Sequence, residues 1–189
     1  MSRFLVSMLF VCFFSCQEAY VPKPRAYFRI SFPEKNYWPL KEQLPFVFDV
    51  PDYLKINNVK APGNQLWLNL SSAENKVDIH LSYEELHNDL DKHIEEARKL
   101  AYDHSIKADA INEQVYLNDQ VRVFGVVYRI RGNAASSLQF FLTDSVTHFI
   151  RGAFYVREVP NIDSIQPVID FYEPDVIRLI ESFEWINKN

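Results

Sequence analysis

The chain opens on an apolar run from Phe4 to Phe14, broken only by Ser7, and then passes into a polar, Pro-bearing stretch, Gln17 to Arg25, that follows neither a helix nor a strand period. From Phe28 the pattern changes. Phe28-Arg29-Ile30-Ser31-Phe32 and Phe46-Val47-Phe48-Asp49-Val50 alternate apolar and polar positions and stop at Pro33 and Pro51, which predicts two strands with one buried face each. Leu66 to Leu70 and Val77 to Leu81 alternate again on either side of a polar loop, Ser71 to Lys76, the pattern of a hairpin. In the second arm Val77, Ile79 and Leu81 share one face, which places Asp78 and His80 on the other.

Ser82-Tyr83-Glu84-Glu85 matches a capping box, so the pattern predicts a helix from Ser82 with Leu86, Leu90, Ile94, Ala97 and Ala101 as its core stripe. Glu84, Asp89, Lys92, Glu96 and Lys99 fall on its solvent side. Strand-like runs follow at Gln114–Leu117, Val121–Ile130, Leu138–Leu142 and Phe149–Val156, separated by short turns, which predicts an antiparallel meander. Val121 to Tyr128 is largely apolar on both faces and is expected at the centre of the sheet. The last segment starts near Asn161–Ser164, passes Pro167 and is expected to break at Pro174, where a new helix begins with Val176, Ile177, Ile180 and Phe183 on its apolar face. The expected class is α+β, a mostly antiparallel sheet flanked by helices. In element order alone it resembles the sandwich shared by the Mog1 family and the PsbP-type photosystem accessory proteins.

The N-terminus carries the targeting information. Met1-Ser2-Arg3 gives a positive start, and the run that follows has the length of a signal h-region, whereas a bilayer span needs about 20 residues. Of the two cysteines in the chain, Cys12 follows bulky Val11 and Cys16 follows small Ser15, so cleavage is expected between Ser15 and Cys16. Phe13-Phe14-Ser15-Cys16 resembles a bacterial lipobox. The expected division is a lipoprotein signal peptide over 1–15, a flexible tether over 16–27 behind an acylated (palmitate-bearing) Cys16, and a single domain over 28–189. A polyproline-like tether rises about 3.1 Å per residue, enough to hold the domain roughly 30 Å from a membrane. No Asp follows Cys16, a feature that by bacterial sorting logic points to the outer membrane.

The 189 residues suit one core, and with no cysteine after Cys16 that core holds without disulfides or thiolate metal sites. The formal charge of −5 lacks the basic footprint of a nucleic-acid binder. No phosphate loop, dinucleotide fingerprint, nucleophile elbow or zinc-helix motif occurs, so no metal or cofactor is expected. His87 and His93 fall on different helical faces, and Asp89 with His93 is expected to be a solvated i,i+4 pair. Asp103 and His104 are adjacent and do not face one another. The remaining polar cluster is Asn133, Ser136, Ser137, Asp144 and His148. A hydroxyl nucleophile there would need a base such as His148 or His80 to converge in space, which defines one alternative, an envelope hydrolase. A small-ligand or glycan-binding module is another, resting on Trp38, Trp67 and Tyr155.

Tyr20-Val21-Pro22-Lys23-Pro24-Arg25-Ala26-Tyr27-Phe28-Arg29-Ile30, Leu100 through Ala110, Gly132 through Ser145 and Arg151-Gly152-Ala153-Phe154-Tyr155 resemble the gliding-motility lipoprotein GldD family of Bacteroidota. The resemblance runs from Cys16 to Trp185. It implies a cell-envelope lipoprotein required for gliding, working with other envelope proteins of the gliding machinery and the type IX secretion system linked to it. It implies no catalytic residues.

Overall fold

The computed structural model describes residues 30–40, 43–59, 65–103, 108–159 and 161–186. The expected signal peptide, the Ser15–Cys16 junction and the whole of the tether lie outside them, as do Phe28, Arg29 and His104.

A seven-stranded antiparallel sheet organises the domain. Its strands are β4 (Lys55–Val59), β5 (Leu66–Ser72), β6 (Val77–Glu85), β7 (Ala108–Asn118), β8 (Val123–Gly132), β9 (Ser136–Thr143) and β10 (His148–Val156), in the spatial order β4-β5-β6-β10-β9-β8-β7. The predicted hairpin is β5–β6, with Leu68 opposite Leu81 and Leu70 opposite Ile79. The predicted meander is β7 to β10. Two helices, α1 (Leu90–Tyr102) and α2 (Ile162–Glu181), lie on opposite faces.

Period-two alternation decides which residues meet which helix. Leu138, Phe140 and Leu142 of β9, with Ile150 and Phe154 of β10, join Leu68, Leu70 and Ile79 in the main core under α2, which contributes Ile165, Ile169, Tyr172, Val176 and Ile180. Phe141 and Phe149 point the other way and pack with Ala97, Ala101 and Tyr128 in a smaller core under α1. That second core draws on β7 to β10, and among the described residues no helix packs on the same face of β4, of β5 or, short of Glu84, of β6.

Two short ladders close the edges of the main core. Phe46, Phe48 and Val50 are buried as the alternation required, but the run splits. β2 (Phe46–Val47) pairs with the closing strand β11 (Glu184–Trp185), and β3 (Asp49–Pro51) pairs with β1 (Tyr37–Pro39).

Four expectations need correction. Ile30 to Phe32 is not a strand; Phe32 instead stacks on Phe171 of α2 with ring centroids 4.3 Å apart, so the segment is a strap across the helix. Ser82 to Glu85 does not cap a helix but continues β6, where Ser82 sits opposite Arg151 and Glu84 opposite Phe149 of β10. A ladder to a central strand outcompetes a local cap because it buries Tyr83 and satisfies the backbone along the whole segment. Helix α1 starts eight residues later, with Asp89 at its head accepting from the His87 N–H at 2.8 Å. Pro174 does not break the last helix: α2 runs unbroken through Pro167 and Pro174, since the apolar face it lays on the sheet outweighs the hydrogen bonds that prolines cannot donate. Strand β8 is covered on both faces, as its composition demanded, yet lies one strand from the edge, because α1 reaches far enough to shield it.

Candidate functional site

The five polar residues singled out in the sequence fall into two groups at opposite ends of the β9–β10 hairpin. Ser136 pairs with Tyr155, and Thr143 with Phe149 next to His148. At about 3.3 Å per residue, that register sets Ser136 and His148 roughly 23 Å apart along the strands. At one end the Asn133 side-chain oxygen accepts from the N–H of Ile162 at 2.9 Å and so caps the first turn of α2 from a neighbouring loop. Ser136 is buried and its hydroxyl donates to the Phe154 carbonyl at 2.9 Å. The Ser137 hydroxyl is buried without a partner among the described residues.

At the other end Asp144 Oδ1 accepts from the N–H groups of Val146, Thr147 and His148 at 3.0, 2.8 and 2.8 Å. Burial pushes the Asp144 carboxyl up, but the three N–H donors together outweigh it and hold the group below the usual carboxylate range. A depressed native pKa adds stability that is present above the unfolded pKa and lost as pH falls through the folded one. Asp144→Asn is therefore expected to lower the melting temperature at pH 7, and the gap from the parent chain to shrink below about pH 4, as melting curves across pH would show. His148 Nδ1 lies 2.8 Å from the Tyr83 hydroxyl, and its ring stacks on Trp185 with centroids 5.0 Å apart. Burial first, then the charges of Glu85 and Asp144, push the Tyr83 phenol up to about 12, so it stays protonated beside the imidazole. This end of the hairpin is thus tied to the closing strand β11.

His93 is not solvated. It is 8% exposed, tilted against Phe149, with Nε2 3.2 Å from Asp89 and Nδ1 3.7 Å from Glu84. Among the described residues no group of three metal-ligating side chains is arranged to hold an ion.

Two constellations went unnoticed in the sequence. The first is Asp175, 1% exposed on α2, whose carboxylate accepts from Lys35 Nζ and the Tyr37 hydroxyl at 2.6 Å each and from the Tyr53 hydroxyl at 2.5 Å. Lys35 also donates to the Phe171 carbonyl at 2.5 Å and rests over the Phe171 ring. Burial, reinforced by the Asp175 bond, pushes both phenols upward, which keeps them protonated as donors. Strap, β1 and the β3–β4 turn are all fastened to one buried carboxylate. The signal for it was a charge placed between Tyr172, Val176 and Leu179 on an otherwise apolar helical stripe.

The second lies on the open half of the α1 face. Trp67 and Asn69 of β5, His80, Ser82 and Glu84 of β6 and Arg151 of β10 line a pocket of about 490 Å³. Register makes them neighbours, because Trp67, Ser82 and Arg151 form one cross-strand row and Asn69 and His80 the next. His80 Nδ1 is 2.7 Å from Asn69 Oδ1, and Tyr155 packs beside the His80 ring. Arg151 donates to Gln139 Oε1 at 2.6 Å. Its signal was an arginine alternating with Phe149 and Ala153 inside a strand otherwise made for burial.

The profile of the family described as gliding motility lipoprotein GldD matches residues 17–185, from the residue after Cys16 to the end of β11. The chain belongs to that family. A search among curated proteins returned no match. Every strand and both helices lie inside the GldD match, as do the Asp175 node and the pocket around Arg151. Members of the GldD family are lipoproteins of gliding motility, so membership carries attachment to a membrane of the cell envelope through a lipid. No helix among the described residues is long and apolar enough to cross a membrane.

Proposed function

We propose that the chain is a non-enzymatic accessory component of the gliding machinery and of the type IX secretion system linked to it, held at the outer membrane by acyl chains on Cys16. The observation that carries this reading is the GldD match over residues 17–185. The sequence before it supports the anchor, with a short apolar run, a small residue at Ser15 and a cysteine at the expected junction. Residues 16–27 serve as the tether. Its pull enters the domain at the strap, and Lys35, Tyr37 and Tyr53 deliver that load to α2 through Asp175, a helix packed along its length on the sheet.

Deleting the gene is the direct test. Cells without the chain are expected to stop gliding and to export less type IX cargo, and resupplying the chain to restore both. Gliding and secretion at parental levels in the deletion strain would overturn the proposal.

A further inference from the structure

Arg151 lines the pocket with a guanidinium that the fold uses only in part. Gln139 is 1% exposed, and its Oε1 is occupied by Arg151, which turns its Nε2 away to a position with no acceptor. The Arg151 Nε is likewise buried without a partner. Among the described residues no carboxylate lies within ion-pair distance of Arg151. Glu84, the acidic group on the wall, faces His93 under α1, and Asp78 is taken by Arg157 at 2.7 Å. With one guanidinium bond to Gln139 and no carboxylate beside it among the described residues, Arg151 presents an uncompensated positive charge to the pocket, which favours an acceptor supplied from outside. A carboxylate fits the guanidinium fork best, since it accepts two parallel N–H bonds.

The rest of the wall narrows the ligand further. Trp67 is 38% exposed and offers a flat apolar surface at the rim. Asn69, His80 and Ser82 supply short, directional polar groups of the kind that meet hydroxyls. An extended peptide is disfavoured because β5, β6 and β10 are each paired on both sides, so no backbone edge is open for strand addition.

We propose that this pocket binds a carboxylated saccharide, with the carboxylate on Arg151 and one sugar face on Trp67. The proposal stands on the pocket alone and survives or fails independently of the gliding role.

The test is calorimetric titration of the detergent-solubilised full chain with trigalacturonate and with its methyl ester. The acid is expected to bind and the ester to bind at least about tenfold more weakly, because neutralising the carboxylate removes its charge-assisted bonds to Arg151. Arg151→Lys, which keeps the charge and loses the fork, and Trp67→Ala, at an exposed rim position, are each expected to weaken binding of the acid about tenfold. Trp38→Ala, at another exposed tryptophan away from the pocket, is expected to leave it unchanged. Absence of binding at millimolar acid, equal affinity for acid and ester, or a folded Trp67→Ala variant with parental affinity would each overturn the proposal. If Arg151→Lys fails to fold, the ester and Trp67→Ala comparisons decide it.

Discussion

Asp175→Ala is expected to destabilise the domain by about 3 kcal/mol, because it leaves a partly buried ammonium and two phenol donors without their shared acceptor. The lower end of the range for broken buried pairs applies, since the Lys35 side chain keeps 29% of its exposure and recovers some hydration. For a chain of this size that corresponds to a fall of roughly 6–12 °C in melting temperature. Lys35→Ala is expected to cost less, as Asp175 then retains both tyrosines. The ordering of the two variants in thermal melts checks the account. Equal losses would mean that the lysine, not the carboxylate, organises the node. Because the strap is held there, Asp175→Ala is also expected to speed proteolysis at the strap before the sheet is lost.

Gly152→Ala is the second large effect, and it arises from volume. Gly152 lies directly opposite Phe140 in the β9–β10 ladder, and the Phe140 ring covers it. A Cβ at this position would stand 2.1 Å from the ring edge. Phe140 is itself buried in the main core with Phe154 and Tyr172, so its ring has nowhere to turn. Strain of this kind costs about 3 kcal/mol in a packed core, again roughly 6–12 °C. Chemical denaturation is expected to show a lower midpoint, and Phe140→Leu in the same chain to restore part of the loss by vacating the space. A Gly152→Ala chain with parental stability would show that the two strands are not packed this closely.

How much of this was legible depended on whether the deciding interaction was local. Leu66–Leu70, Val77–Leu81, Leu138–Leu142 and Phe149–Val156 could be read because alternation reports directly on burial of one strand face. Ser82-Tyr83-Glu84-Glu85 misled for the opposite reason. Its local chemistry suits a helix cap, but the ladder to His148–Arg151, about 65 residues away in sequence, decides its conformation. Pro174 misled in the same way, local grammar against an apolar face laid on a whole sheet. The Ser and His residues could be named but not placed, since register alone separates Ser136 from His148. The pocket at Arg151 was least visible of all, because it exists only where α1 stops covering the sheet. The family signature needed no such tertiary knowledge. It resides in contiguous runs such as Gly132 through Ser145, and the match over 17–185 confirms it.

We propose that the folded domain works from a lipid anchor at Cys16. Its most direct test is membrane fractionation, with gliding assays, of a deletion strain resupplied with the Cys16→Ala chain. This chain is expected to leave the acylated membrane pool while its purified domain melts at the parental temperature, and the cells are expected not to glide. A Cys16→Ala chain that remains fully membrane-bound without acyl chains, in cells that glide normally, would contradict it.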